Sequence, residues 1–109
     1  MNMLVTDHAK KRLKERAGLN SRGLARSAEI AFNKGICHSD CTGRLKRYVD
    51  YLFLSHKKGN NIRLYGDKVY IFHGISLLTV LNLPNMYHDA VNKLAKKKRN
   101  AAALADKED

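Results

Sequence analysis

The chain contains no tryptophan, one proline and two cysteines in 109 residues, and only 10 acidic residues stand against 21 Lys and Arg. Each shortage narrows what the protein can be. The few carboxylates do not cluster, which disfavours a two-metal nuclease. Walker-type and dinucleotide glycine loops are missing, as is the G-x-S-x-G elbow of serine hydrolases, and no cofactor is expected. The apolar runs are too short for the roughly 20 residues that span a bilayer, so no membrane is expected. The opening "MNMLVTDHAKK" lacks the basic start, apolar middle and cleavage site of a secretion signal. Two thiols without such a signal fit a reducing cytoplasm.

What the chain does have is positive charge, +11 net with a pI near 9.9. Residues 1–20, 21–50, 51–92 and 93–109 carry net charges of +3, +3, +2 and +3, so the excess belongs to the folded part and not to one basic tail. That is the footprint of a domain that docks on an anionic partner, most simply nucleic acid. With 44% hydrophobic residues the chain can bury one modest core. One α+β domain over residues 1–99 is expected, followed by a frayed or disordered tail over 100–109.

Residues 6–17, "TDHAKKRLKERA", read as a short helix capped by Thr6 or Asp7 and stopped at Gly18, with Ala9, Leu13 and Ala17 inward and Leu4 stapling its start. A second helix runs from Asn20 or Ser21 to Lys34, with Leu24, Ala28, Ala31 and Phe32 as its stripe. A third covers 42–56, although its "YLFL" end also suits a strand. The period then drops to 2. "NNIRLY", "KVYIF" and "SLLTVLNL", with turns at Gly66-Asp67 and His73-Gly74, predict a three-stranded antiparallel meander over 60–83. A last helix over 86–99 completes a small twisted sheet with helices packed on it.

Three constellations carry chemistry. His8, Arg12 and Arg16 share one face of the first helix, and Lys10, Lys11 and Lys14 extend its positive surface. Such a surface is either a solvated face or one built to meet phosphate. His8 is either a capping or exposed histidine or a general acid or base, because an imidazole titrates near working pH. In the meander, Ile62, Leu64, Val69 and Ile71 would pack inward. Asn61, Arg63, Tyr65, Lys68, Tyr70 and Phe72 would then form an open face. Cations interleaved with rings suit single-stranded RNA, and they equally suit a half-exposed sheet in which Tyr and Phe satisfy strand propensity. Arg44, Lys46 and Arg47 add positive charge on the third helix. Finally, "CHSDC" at 37–41 supplies too few neighbouring ligands for a zinc site and reads as two plain thiols in a loop.

The histidine-led "TDHAKKRLKERAG", of the form HA-xx-R-xxx-R, followed by a helix and an antiparallel meander, resembles the RelE/ParE-type toxin superfamily. More narrowly, it is similar to BrnT-like domains and to small proteins of Gram-positive bacteria and their phages. The resemblance implies helices packed on a small sheet with an open RNA-binding concavity, and metal-independent endoribonuclease activity in a bacterial host cell. It implies an antitoxin or other host protein as a partner. Carried onto this chain, the catalytic candidates are His8, Arg12, Arg63, Tyr65 and Tyr70. The alternative is a non-enzymatic phage or mobile-element protein that inhibits a host nucleic-acid enzyme or defence complex, in the manner of an anti-CRISPR.

Overall fold

The computed structural model of the chain describes the backbone of residues 4–17 and 21–107, and the side chains there apart from those at 4, 13, 16, 17, 21, 22, 24 and 102–107. The order is β1 (Leu4–Val5), α1 (Asp7–Ala17), α2 (Ser21–Lys34), β2 (Ile36–Cys37), α3 (Gly43–Ser55), β3 (Asn61–Tyr65), β4 (Lys68–His73), β5 (Ser76–Asn82) and α4 (His88–Lys107). Short 3-10 turns lie at His38–Asp40 and Asn85–Tyr87. The fold is α+β, with N-terminal helices, a small sheet and a C-terminal helix. The expected Gly18 stop, the Leu4 staple and the inward roles of Leu13, Ala17 and Leu24 lie outside the described residues.

The meander forms as the period-2 pattern requires and sits at the centre of a larger sheet. Strand order is β1-β5-β4-β3-β2; β2 to β5 pair antiparallel, and β1 joins β5 in parallel. The two added strands are two residues long, too short to show alternation. Both hairpin turns place a glycine at the first central position, Gly66 at φ 62° and Gly74 at φ 58°, and the residue after each stays at negative φ. This is the type II′ arrangement that suits strand twist. The second turn is therefore Gly74-Ile75, one residue later than expected. A bulge leaves Leu78 as the extra residue of β5, since Ile71 pairs with Thr79 and Phe72 with Leu77.

Side chains alternate across the sheet into two buried layers. Ile62, Leu64, Val69 and Ile71 meet Leu45, Val49 and Leu52 of α3 and Val91 of α4. On the opposite face Tyr70, Phe72, Leu77 and Val80 meet Ala9 of α1 and Ala28 and Ala31 of α2, whose small side chains let the helices lie close.

The expected open face of Asn61, Arg63, Tyr65, Lys68, Tyr70 and Phe72 is thus mostly covered. Tyr70 is 4% exposed and Phe72 is fully buried, its ring edge-on to Phe32 of α2 at 5.2 Å between centroids. The unbroken apolar run Val69–Phe72 is the physical reason, because a strand buried on both sides loses its polar alternation. "YLFL" stays helical in α3. Helix α4 runs on to Lys107 through the stretch predicted to be a frayed tail, where alanines of high helix propensity continue the "KKKRN" turn.

Candidate functional site

Helix α1 is anchored at its first turn. The hydroxyl of Thr6 accepts from the Ala9 N–H at 3.2 Å, capping the helix, and donates to the Leu78 carbonyl at 3.2 Å. The Thr6 N–H donates to the Leu77 carbonyl at 3.1 Å. These bonds hold α1 against β5 and turn His8 and Arg12 toward the end of the sheet.

There they meet a segment far away in sequence. After α3 the chain makes a tight loop, with the Gly59 N–H donating to the His56 carbonyl at 2.9 Å and the Asn60 N–H to the Phe72 carbonyl at 2.9 Å. Gly59 lies so close to the sheet that a Cβ there would sit 2.5 Å from Cγ2 of Ile71, so only glycine fits. The loop therefore presses onto β4, leaving Lys57 and Lys58 exposed and His56 half-buried. Together with Thr6, His8, Arg12, Leu78, Thr79, Leu81 and the Ile71 floor they line a groove of about 550 Å³.

The groove is cationic on both walls. Its lining holds Arg12, Lys57, Lys58 and two histidines, and no carboxylate. Among the described residues Arg12 makes one ion pair, to Glu15 one turn on at 3.6 Å, with both side chains about half exposed. A pair of that kind contributes little and yields easily to a better anion. The side chains of His8, His56, Lys57 and Lys58 have no hydrogen-bond or ion-pair partner among the described residues. Two unpaired ammonium groups and a weakly paired guanidinium over an apolar floor form a binding surface for phosphate, the guanidinium as a two-pronged donor and the lysines as point charges. Comparison with protein families, curated proteins and solved structures returns no match to this chain.

The remaining expected site residues lie elsewhere. Arg63 extends under α2, where Nε donates to the Phe32 carbonyl at 3.2 Å, the guanidinium covers the Phe32 ring at 5.7 Å, and Nη1 bonds the Asn61 side chain. Its charge is employed in tying β3 to α2. Tyr70 shares a 2.8 Å hydrogen bond with Ser27, and burial raises its phenol above the usual value, so it remains protonated. Tyr65 is partly exposed at the β3–β4 turn, and Lys68 beside it pairs with Asp67 at 3.3 Å. None of these four lines the groove with His8 and Arg12. Lys10, Lys11 and Lys14 are exposed on α1, and Arg44, Lys46 and Arg47 are exposed on α3. The side chain of Arg16 lies outside the described residues.

The "CHSDC" segment forms the 3-10 turn between β2 and α3. Asp40 accepts from the Cys37 N–H at 3.0 Å and faces Lys98 of α4 at 3.5 Å, and these contacts hold its carboxyl below the usual range. His38 pairs with Asp50. Both cysteines are free thiols, and Cys41 is buried, which pushes its thiol up to about 11.

Sequence reasoning singled out one wall of the groove and passed over the other. The "HKK" at 56–58 is an ordinary charge run until the fold brings it beside residues about fifty positions earlier. Its one local signal was Gly59, directly after the cations.

Proposed function

We propose that the protein binds RNA, with the sugar–phosphate backbone held in the groove between α1 and the 56–59 loop. The observation that carries this is the convergence of Arg12, Lys57 and Lys58, without any carboxylate, on one apolar-floored groove. The positive charge of the whole chain supplies long-range attraction. The resemblance of the first helix to RelE/ParE-type domains supports RNA as the partner, and His8 and Arg12 are the positions that match its motif. The test is fluorescence anisotropy of labelled oligouridylate with the purified protein. Arg12→Ala, Lys57→Ala and Lys58→Ala should each weaken binding while circular dichroism stays unchanged. Wild-type affinity in all three variants would refute the assignment.

A second reading, metal-independent RNA cleavage, is favoured by one further observation: His8 and His56 line the same groove as the three cations. One imidazole would take the proton of a 2′-hydroxyl as its oxygen attacks phosphorus. The other would protonate the departing 5′-oxygen, leaving a 2′,3′-cyclic phosphate and a free 5′-hydroxyl. Arg12, Lys57 and Lys58 would neutralise the charge on the five-coordinate phosphorus. Incubation of RNA with the protein in EDTA tests this. Cyclic-phosphate ends should form and should be lost in both His8→Ala and His56→Ala. Intact RNA after prolonged incubation leaves the protein a binder only.

A further inference from the structure

The outer face of α3 carries a row of side chains that the groove does not use. Arg44, Arg47, Tyr51 and Leu54 are spaced by three, four and three residues, so they stand in line on one side of the helix. They point away from Leu45, Val49 and Leu52, which enter the core. Tyr51 is 62% exposed and Leu54 is 75% exposed, among the largest exposures of apolar side chains in the described structure. Arg44 and Arg47 have no acidic partner among the described residues. The one carboxylate of this helix, Asp50, is paired with His38. The row thus presents an aromatic ring and an aliphatic side chain beside two unpaired guanidinium groups.

We infer that this face of α3 is a stacking track for single-stranded RNA that leads into the groove, an inference that rests on the groove's binding the RNA backbone. Continuity along the chain supports it, because α3 ends at Ser55 and the next three residues, His56, Lys57 and Lys58, form one wall of the groove. Arg44 to Leu54 covers about 15 Å at 1.5 Å per residue, room for a few nucleotides. Arginines suit phosphates, and an exposed tyrosine suits the face of an unpaired base. A duplex hides those faces in its own stack. Tyrosine and arginine also serve protein interfaces, but two guanidinium groups without an acidic partner beside only two exposed apolar side chains favour a polyanion. The track therefore selects single strands.

The experiment compares labelled oligouridylate, alone and annealed to oligoadenylate, in anisotropy titrations at one fixed low salt concentration. Wild-type protein should prefer the single strand. Tyr51→Ala should weaken single-strand binding by about 5-fold to 150-fold, the range for loss of one base–aromatic stack, and leave duplex binding unchanged. Tyr51→Phe should retain affinity because the ring remains. Since Tyr51 is exposed, these variants keep the fold. Equal wild-type binding of duplex and single strand overturns the inference. So does wild-type affinity in both Tyr51→Ala and Arg47→Ala while Lys57→Ala is weakened; the groove would then bind RNA and the α3 face would be left for a protein partner. Wild-type affinity in Arg12→Ala, Lys57→Ala and Lys58→Ala as well would remove the groove reading itself.

Discussion

His73 and Lys58 are joined by a hydrogen bond in which Nδ1 of the imidazole donates to the Lys58 carbonyl at 3.0 Å. Beside it, the Gly74 N–H donates to the Asn60 side chain at 2.9 Å. The β4–β5 turn thereby clamps the loop that carries the cationic wall. His73→Ala removes one bond of about 1 kcal/mol, loosening the loop while keeping every groove-lining residue in the sequence. We expect RNA affinity to fall by a few-fold and thermal stability to change only slightly, as read by anisotropy and by circular dichroism melting. Unchanged affinity would show that the loop holds its position without the clamp.

Salt dependence counts the phosphates engaged. For a single strand the slope of log K against log salt is roughly −0.7 per phosphate neutralised. Arg12, Lys57 and Lys58 together should contribute about −2 to that slope, and each Lys→Ala variant should shallow it by about 0.7. Slopes that match wild type in the lysine variants would place the phosphates elsewhere.

Tyr70 and Phe72 should behave as core residues and not as an RNA platform. Tyr70→Phe removes the hydrogen bond to Ser27, costs about 1 kcal/mol, and should leave RNA affinity unaltered. Phe72→Ala opens a cavity beside Phe32 and should cost about 3–5 kcal/mol, enough to unfold a marginal domain. Urea titration distinguishes the two. A Tyr70→Phe protein of normal stability that fails to bind RNA would contradict this placement.

Cys41 links stability to alkaline pH. Burial, and secondarily the Asp40 charge, raise its thiol from an ordinary 9.0 to about 11, so the native state keeps a proton that the unfolded chain gives up. Its contribution is fully present below about pH 9 and is lost as pH climbs toward 11. The urea midpoint should fall more over that window in wild type than in Cys41→Ala, and equal falls would be the contrary result. At neutral pH a thiol reagent should label the half-exposed Cys37 and reach Cys41 only on unfolding.

Local signals were readable wherever one residue decides a local geometry. Thr6, one of two candidate caps, caps α1, Gly66-Asp67 makes the first hairpin turn, Gly74 opens the second one residue later than expected, and the period-2 run sets the meander. What the pattern could not display was the number of faces each strand buries. "KVYIF" alternates weakly, and the choice of Tyr70 and Phe72 as an open face took the one-sided reading when α2 in fact covers it. β1 and β2, at two residues each, carry too little pattern to be seen at all. At the site, His8 and Arg12 stood out because they repeat along one helix. His56, Lys57 and Lys58 acquire meaning only through the packing of Gly59 on Ile71, a tertiary fact.

The most direct measurement is the affinity of oligouridylate for the Arg12→Ala/Lys57→Ala/Lys58→Ala protein, alongside its circular dichroism spectrum and melting curve. All three side chains are at the surface of the groove, so the fold should survive. The account predicts a native spectrum with affinity reduced at least tenfold. A native spectrum with wild-type affinity would contradict it.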